Sequence, residues 1–140
     1  MMLGSFKHGI DTKNRLFIPS KFREELGESF VIARSPRGKC LRVFPAEDWN
    51  ATLKKYDSLD ARDREVIVRA LTRNAAQVSP DTQGRVVLPP ELMSIAELEK
   101  NVYIIGCQTY CEIWSEANHT VMEEEESWEK MVAIMESYGL

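Results

Sequence analysis

The chain has 140 residues, 44% apolar and 29% charged, with seven glycines and six prolines, a globular composition rather than a fibrous or low-complexity one. No apolar run approaches the roughly 20 residues that span a bilayer, and Met1 to Phe6 has no basic segment leading into an apolar stretch, so a cytoplasmic protein without membrane partner is expected. The net charge of −4 hides an asymmetry: residues 1–44 hold nine Lys/Arg against four Asp/Glu, and residues 81–140 hold three against twelve. A basic working face and an acidic far side would follow, although solvated surface charge gives the same asymmetry.

In chain order, Phe6, His8 and Ile10 alternate as a short strand does, and the strand runs into the polar turn Asp11 to Asn14. Leu16-Phe17-Ile18 is an apolar strand stopped by Pro19, which cannot donate to a ladder. Lys21 to Leu26 reads as a helical turn ended by Gly27. Phe30 to Arg34 and Cys40 to Phe44 read as a hairpin about Pro36-Arg37-Gly38-Lys39. Trp49, Leu53 and Tyr56 mark one helix face, and Asp60 is placed to cap a second helix carrying Ile67, Leu71 and Ala75. Pro90 suits a first helical position, and strands follow at Val102 to Ile105 and Tyr110 to Trp114. The run Glu123 to Glu126 is expected in the first turn of a last helix, where the macrodipole favours it. That helix carries Trp128, Met131, Val132, Met135 and Tyr138 in one stripe.

These elements repeat. Asp11-Thr12-Lys13-Asn14-Arg15-Leu16-Phe17-Ile18-Pro19 lies over Asp81-Thr82-Gln83-Gly84-Arg85-Val86-Val87-Leu88-Pro89 at an offset of 70. Val43-Phe44 falls over Ile113-Trp114, while Val31-Ile32 fits Val102-Tyr103 with a slip of one residue. A four-stranded unit of this size buries little apolar surface alone, so two units are expected to complete each other's sheet. The division read from the sequence is 5–47 and 76–119 for the two units, 48–75 for a helical connector and 120–140 for a C-terminal helix.

The doubled Asp-x-x-x-Arg turn, the following apolar strand with its Pro, and Trp49 and Trp114 near the unit ends resemble the MraZ family over essentially the whole chain. The resemblance implies an α+β fold built from two AbrB-like (SpoVT-AbrB) swapped-hairpin units closing a small β-barrel with flanking helices. It also implies a nucleoid-associated regulator of transcription that assembles into rings on double-stranded promoter DNA. On this reading the chain represses its own operon, the division and cell-wall gene cluster. Asn14 departs from the family, which has Gly there as at Gly84. Asn tolerates the left-handed backbone such a turn needs.

Asp11 and Asp81 are expected to pin the turns by accepting backbone N–H groups. Arg15, Lys13, Asn14, Lys7, Arg85 and Gln83 are the candidate DNA contacts. Arg15 has Lys7, Lys13, Lys21 and Arg23 as basic company, whereas Arg85 has acidic neighbours in sequence, which makes the first repeat the better DNA face. Cys107, Cys111 and His119 raise the question of a metal, but Cys40, Cys107 and Cys111 sit in apolar stretches where free Cys packs as a small hydrophobe. No nucleophile motif, phosphate loop or paired histidine is present, so neither an enzyme, a cofactor nor a small-molecule substrate is expected. The competing class is an AbrB-like antitoxin or protein-interaction module. Such chains carry one repeat and a disordered tail, whereas this one has two repeats and an amphipathic helix.

Overall fold

Proline and glycine punctuate the chain into short elements, and the elements follow the same order in each half. The computed structural model describes residues 1–140. The first half comprises β1 (Ser5–Gly9), β2 (Arg15–Phe17), α1 (Ser20–Leu26), β3 (Phe30–Arg34), β4 (Leu41–Pro45), α2 (Ala46–Lys54) and α3 (Ala61–Thr72). The second comprises β5 (Ala76–Val78), β6 (Arg85–Val87), α4 (Pro90–Ile95), β7 (Asn101–Gly106), β8 (Cys111–Ser115), α5 (Glu116–Glu125) and α6 (Trp128–Ser137). The order recurs through the helices as well: α5 and α6 follow β8 as α2 and α3 follow β4.

The fold is α+β, with all strand pairs antiparallel. Six strands form one sheet in the order β1-β7-β8-β4-β3-β5, and β2 pairs with β6 in a separate ribbon. The halves exchange edges, since β1 lies against β7 and β5 against β3. No pairing joins β1 to β5, so the sheet is open and the closed barrel expected from the resemblance is not formed. The reason lies in β2 and β6. Each has three residues, with a proline two positions beyond its end, and they pair only with one another instead of linking the sheet edges.

The register corrects one detail of the repeat. Ile32 pairs with Val43 and Ile104 with Ile113, so β3 and β7 correspond with a slip of two residues, not one. A slip of one would turn every side chain of the strand to the other face. Four residues separate β7 from β8 and six separate β3 from β4, which restores the offset of 70.

The core lies between the ribbon and one face of the sheet. Leu16, Ile18, Val86 and Leu88 from the ribbon segments meet Phe30, Ile32, Leu41, Val43, Val102, Ile104 and Ile113, all at most 1% exposed. Each such side chain contributes about 1.5–3 kcal/mol by leaving water. Phe6 stands edge-on to Phe22 at 5.4 Å and closes one end. Helices cover the other sheet face: Trp49 of α2 packs on Phe44, and His119 of α5 stacks on Tyr103 at 3.8 Å.

Two helical expectations change. Asp60 caps α3 by accepting from Arg62 N. Ser115 caps α5 in the same manner, so the helix starts there and the Glu123 to Glu125 run falls in its last turn. Negative charge is disfavoured at that end. Ser127 caps α6 separately. The apolar stripe of α6 is not a core face: Met131 and Val132 are half-buried, whereas Trp128 and Tyr138 are 74% and 77% exposed.

Candidate nucleic-acid interface

Each ribbon strand begins in an Asp-x-x-x-Arg turn, and the two turns are built alike. Asp11 Oδ1 accepts from Lys13 N and Arg15 N at 2.9 Å, and its Oδ2 accepts from Arg15 Nε at 2.6 Å. Asp81 Oδ1 accepts from Gln83 N and Arg85 N at 2.9 Å, and its Oδ2 from Arg85 Nε at 3.0 Å. The N–H groups, that of the Arg first, hold both carboxyls below the ordinary aspartate range. Main-chain bonds from Asn14 N to Asp11 O and from Gly84 N to Asp81 O complete the turns. Asn14 adopts φ 60° and Gly84 φ 81°, the left-handed conformation that both residue types accept.

The turns also brace each other. Ile18 N donates to Gly84 O at 3.0 Å, and Leu88 N donates to Asn14 O at 2.8 Å. Antiparallel pairing sets Arg15 opposite Val87 and Phe17 opposite Arg85, while Leu16 and Val86 point into the core. Both arginines therefore lie on the outward face of one ribbon. Each is tied to its aspartate through Nε, and the terminal nitrogens make no hydrogen bond within the chain. Those two atoms form the fork that meets phosphate or the edge of a guanine.

Of the candidate residues, the structure brings Lys13, Asn14, Arg15, Gln83 and Arg85 together at the paired turns, with Lys13 and Gln83 exposed at the tips. Lys7 is placed elsewhere. It pairs with Glu116 at 2.7 Å on the helix-covered face of the sheet. His8 packs its ring on Phe17 at 5.3 Å. His119 stacks on Tyr103 and reaches Glu123 at 3.2 Å, and no group of three or more His, Cys, Asp or Glu side chains is gathered as a metal site. Burial pushes the Cys40 thiol up to about 12 and that of Cys107 to about 11, values of packed rather than reactive thiols.

One residue of this face goes beyond a sequence reading. Arg23 of α1 donates from Nε to Ile18 O at 2.9 Å, and its guanidinium lies 5.3 Å above the Phe17 ring. It also rests against Gly84, where a Cβ would come within 2.6 Å of Arg23 Cζ. The only signal in the sequence is a coupled difference: Arg23 and Gly84 in one place, Met93 and Asn14 at the corresponding positions.

The geometry defines a class before a family: an α+β protein of two like halves that presents two braced arginine turns side by side. Residues 1–69 and 71–136 each match the model of the MraZ protein family, described as putative antitoxin-like. A protein of Clostridium tetani named transcriptional regulator MraZ is 40% identical over 138 residues, spanning 94% of this chain and 96% of that one. A protein of Halothermothrix orenii with the same name is 38% identical over 144 aligned positions, and one of Pediococcus pentosaceus is 35% identical, each spanning both chains in full. The chain belongs to the MraZ family. Its relatives are named as regulators of transcription. No helix is long and apolar enough to cross a membrane.

Proposed function

We propose that the chain is a sequence-specific DNA-binding regulator of transcription that engages promoter DNA through the paired turns of its β2–β6 ribbon. The observation that carries this reading is the reciprocal bracing of the turns, Ile18 N to Gly84 O and Leu88 N to Asn14 O, which fixes Arg15 and Arg85 on one outward face. Each half then corresponds to an AbrB-type swapped-hairpin unit, a reading supported by the exchange of β1 and β5 between the halves. The names of the relatives support regulation of transcription. Repression of its own operon, the division and cell-wall gene cluster, is carried from the family resemblance, as is work at the nucleoid.

A ring-shaped homo-oligomer completes the proposal. The oppositely charged ends of the chain suit head-to-tail packing, and Trp128, Ile134 and Tyr138 of the α6 region are exposed enough to be covered by a second copy. The antitoxin-like alternative requires a protein partner in place of DNA. Native mass spectrometry with and without a fragment from upstream of its own gene tests the proposal. The expected result is an oligomer that takes up the fragment, with affinity falling steeply as salt rises. A monomer indifferent to the fragment overturns it.

A further inference from the structure

The second turn looks poor in charge when read along the chain. Gln83 stands where the first turn has Lys13, Glu91 where the first half has Lys21, and Met93 where it has Arg23. In space the deficit is made up from the other half. Arg23 crosses to the second turn, with Nε on Ile18 O, its guanidinium over Phe17 and its carbon against Gly84. Phe17 is the cross-strand partner of Arg85, so the ring that carries the Arg23 guanidinium stands opposite Arg85 on the outward face of the ribbon. Nε is engaged, and the terminal nitrogens of Arg23 make no hydrogen bond within the chain. Ring stacking and the carbonyl bond hold the group in place before any ligand arrives, which limits the ordering cost of a contact.

We propose that Arg23 is a DNA-phosphate contact of the second turn, supplied in place of the lysine that turn lacks. Each turn then carries two cations: Lys13 with Arg15 at one, and Arg23 with Arg85 at the other. The two are not equivalent, because Lys13 is an exposed tip charge without a side-chain partner and Arg23 is held by the Ile18 carbonyl and the Phe17 ring. A Cβ at position 84 would come within 2.6 Å of Arg23 Cζ, so a side chain there would displace Arg23. The inference rests on the DNA-binding reading above.

The test is the salt dependence of binding to the upstream fragment, followed by fluorescence anisotropy. Arg23→Met should weaken binding and lower the slope of log K against log salt by about 0.9 for each engaged subunit. Adding Gln83→Lys to that variant should restore the slope. Arg23→Gln keeps a donor for Ile18 O without the charge, and should match Arg23→Met in slope while melting like the wild type. An unchanged slope in both Arg23 variants overturns the inference, as does a loss of affinity with the slope intact, which would make Arg23 a prop for the turn. Failure of the wild type to bind the fragment at all refutes the DNA-binding reading instead.

Discussion

Arg42 and Glu112 occupy the same position in the two halves and face each other across β4 and β8. Residues related by the repeat meet at that point, and identical charged residues would repel there. The chain has opposite charges instead: Arg42 Nε stands 3.5 Å from Glu112 Oε2, with the side chains 22% and 15% exposed. Arg42 Nε makes no hydrogen bond, so the contact is ionic, and Tyr110 supports the guanidinium at 5.0 Å. Trp114 Nε1 donates to Glu112 Oε1. Arg42→Glu alone should destabilise the fold by about 3 kcal/mol, as expected for a partly buried charge facing a like one. The double exchange Arg42→Glu with Glu112→Arg should recover most of that loss in denaturant titrations, short of full recovery because Tyr110 and Trp114 match the native arrangement only.

Asp11 and Arg15 divide structure from contact. Asp11 holds two backbone N–H groups and Arg15 Nε, whereas the terminal nitrogens of Arg15 make no hydrogen bond within the chain and are the atoms proposed to meet DNA. Arg15→Ala should abolish specific DNA binding with little change in melting temperature. Asp11→Ala should lower the melting temperature by about 3 °C. The carboxyls also set a pH dependence. Both aspartates are held below their ordinary value of 3.8, so the unfolded chain protonates first as pH falls. The stability they contribute is complete above the ordinary aspartate range and is lost as pH drops through and below it. Melting curves from pH 6 to about pH 2 should show a steeper acid loss in the wild type than in Asp11→Ala with Asp81→Ala.

What the sequence made legible was what neighbouring residues decide. Apolar alternation, the proline stops and the Asp-x-x-x-Arg spacing place the strands and the two turns, and Asp60 marks its helix. What it concealed depends on partners far along the chain. Charge counted in sequence leaves Arg85 among acids, but the crossing of Arg23 depends on β2 pairing with β6. Lys7 reads as company for Arg15 until strand alternation turns it to Glu116. Ser115 and Ser127 each cap a helix, so the sequence around the acidic run is compatible with either helix, and in the structure the run closes α5, whose His119 packs on Tyr103. The barrel failed for a related reason: closure depends on which strands pair, and three-residue strands leave no trace of that choice.

Gly84 and Asn14 are equivalent in conformation and unequal in surroundings. Gly84→Ala meets two obstacles, a left-handed φ of 81° and an Arg23 carbon 2.6 Å from the new Cβ. It should cost about 1–3 kcal/mol. Asn14→Gly only relaxes a backbone already left-handed at φ 60°, so its effect should lie within about 0.5 kcal/mol. Chemical denaturation of the two variants compares them directly. A loss in Asn14→Gly as large as that in Gly84→Ala would mean that the Asn14 side chain, and not its backbone conformation, holds the first turn.

Few contacts per chain must become selective for a regulator to find its site. One ribbon with two arginine forks reads about two or three base pairs, too few to single out a site in a genome. The proposed ring would present the ribbon repeatedly, and once one copy is bound the next would engage at an effective concentration of about millimolar. Such a reader requires an operator of several short, similar, G-containing elements spaced by about one helical turn, roughly 10 base pairs, so that each faces the ring from the same side. Inserting half a turn of DNA between elements turns alternate elements away and should lower affinity far more than inserting a whole turn. The comparison is one titration series on three fragments differing only in spacer length. A fragment with a single element that binds as tightly as the full array would remove valency from the mechanism and place all the selectivity in one ribbon.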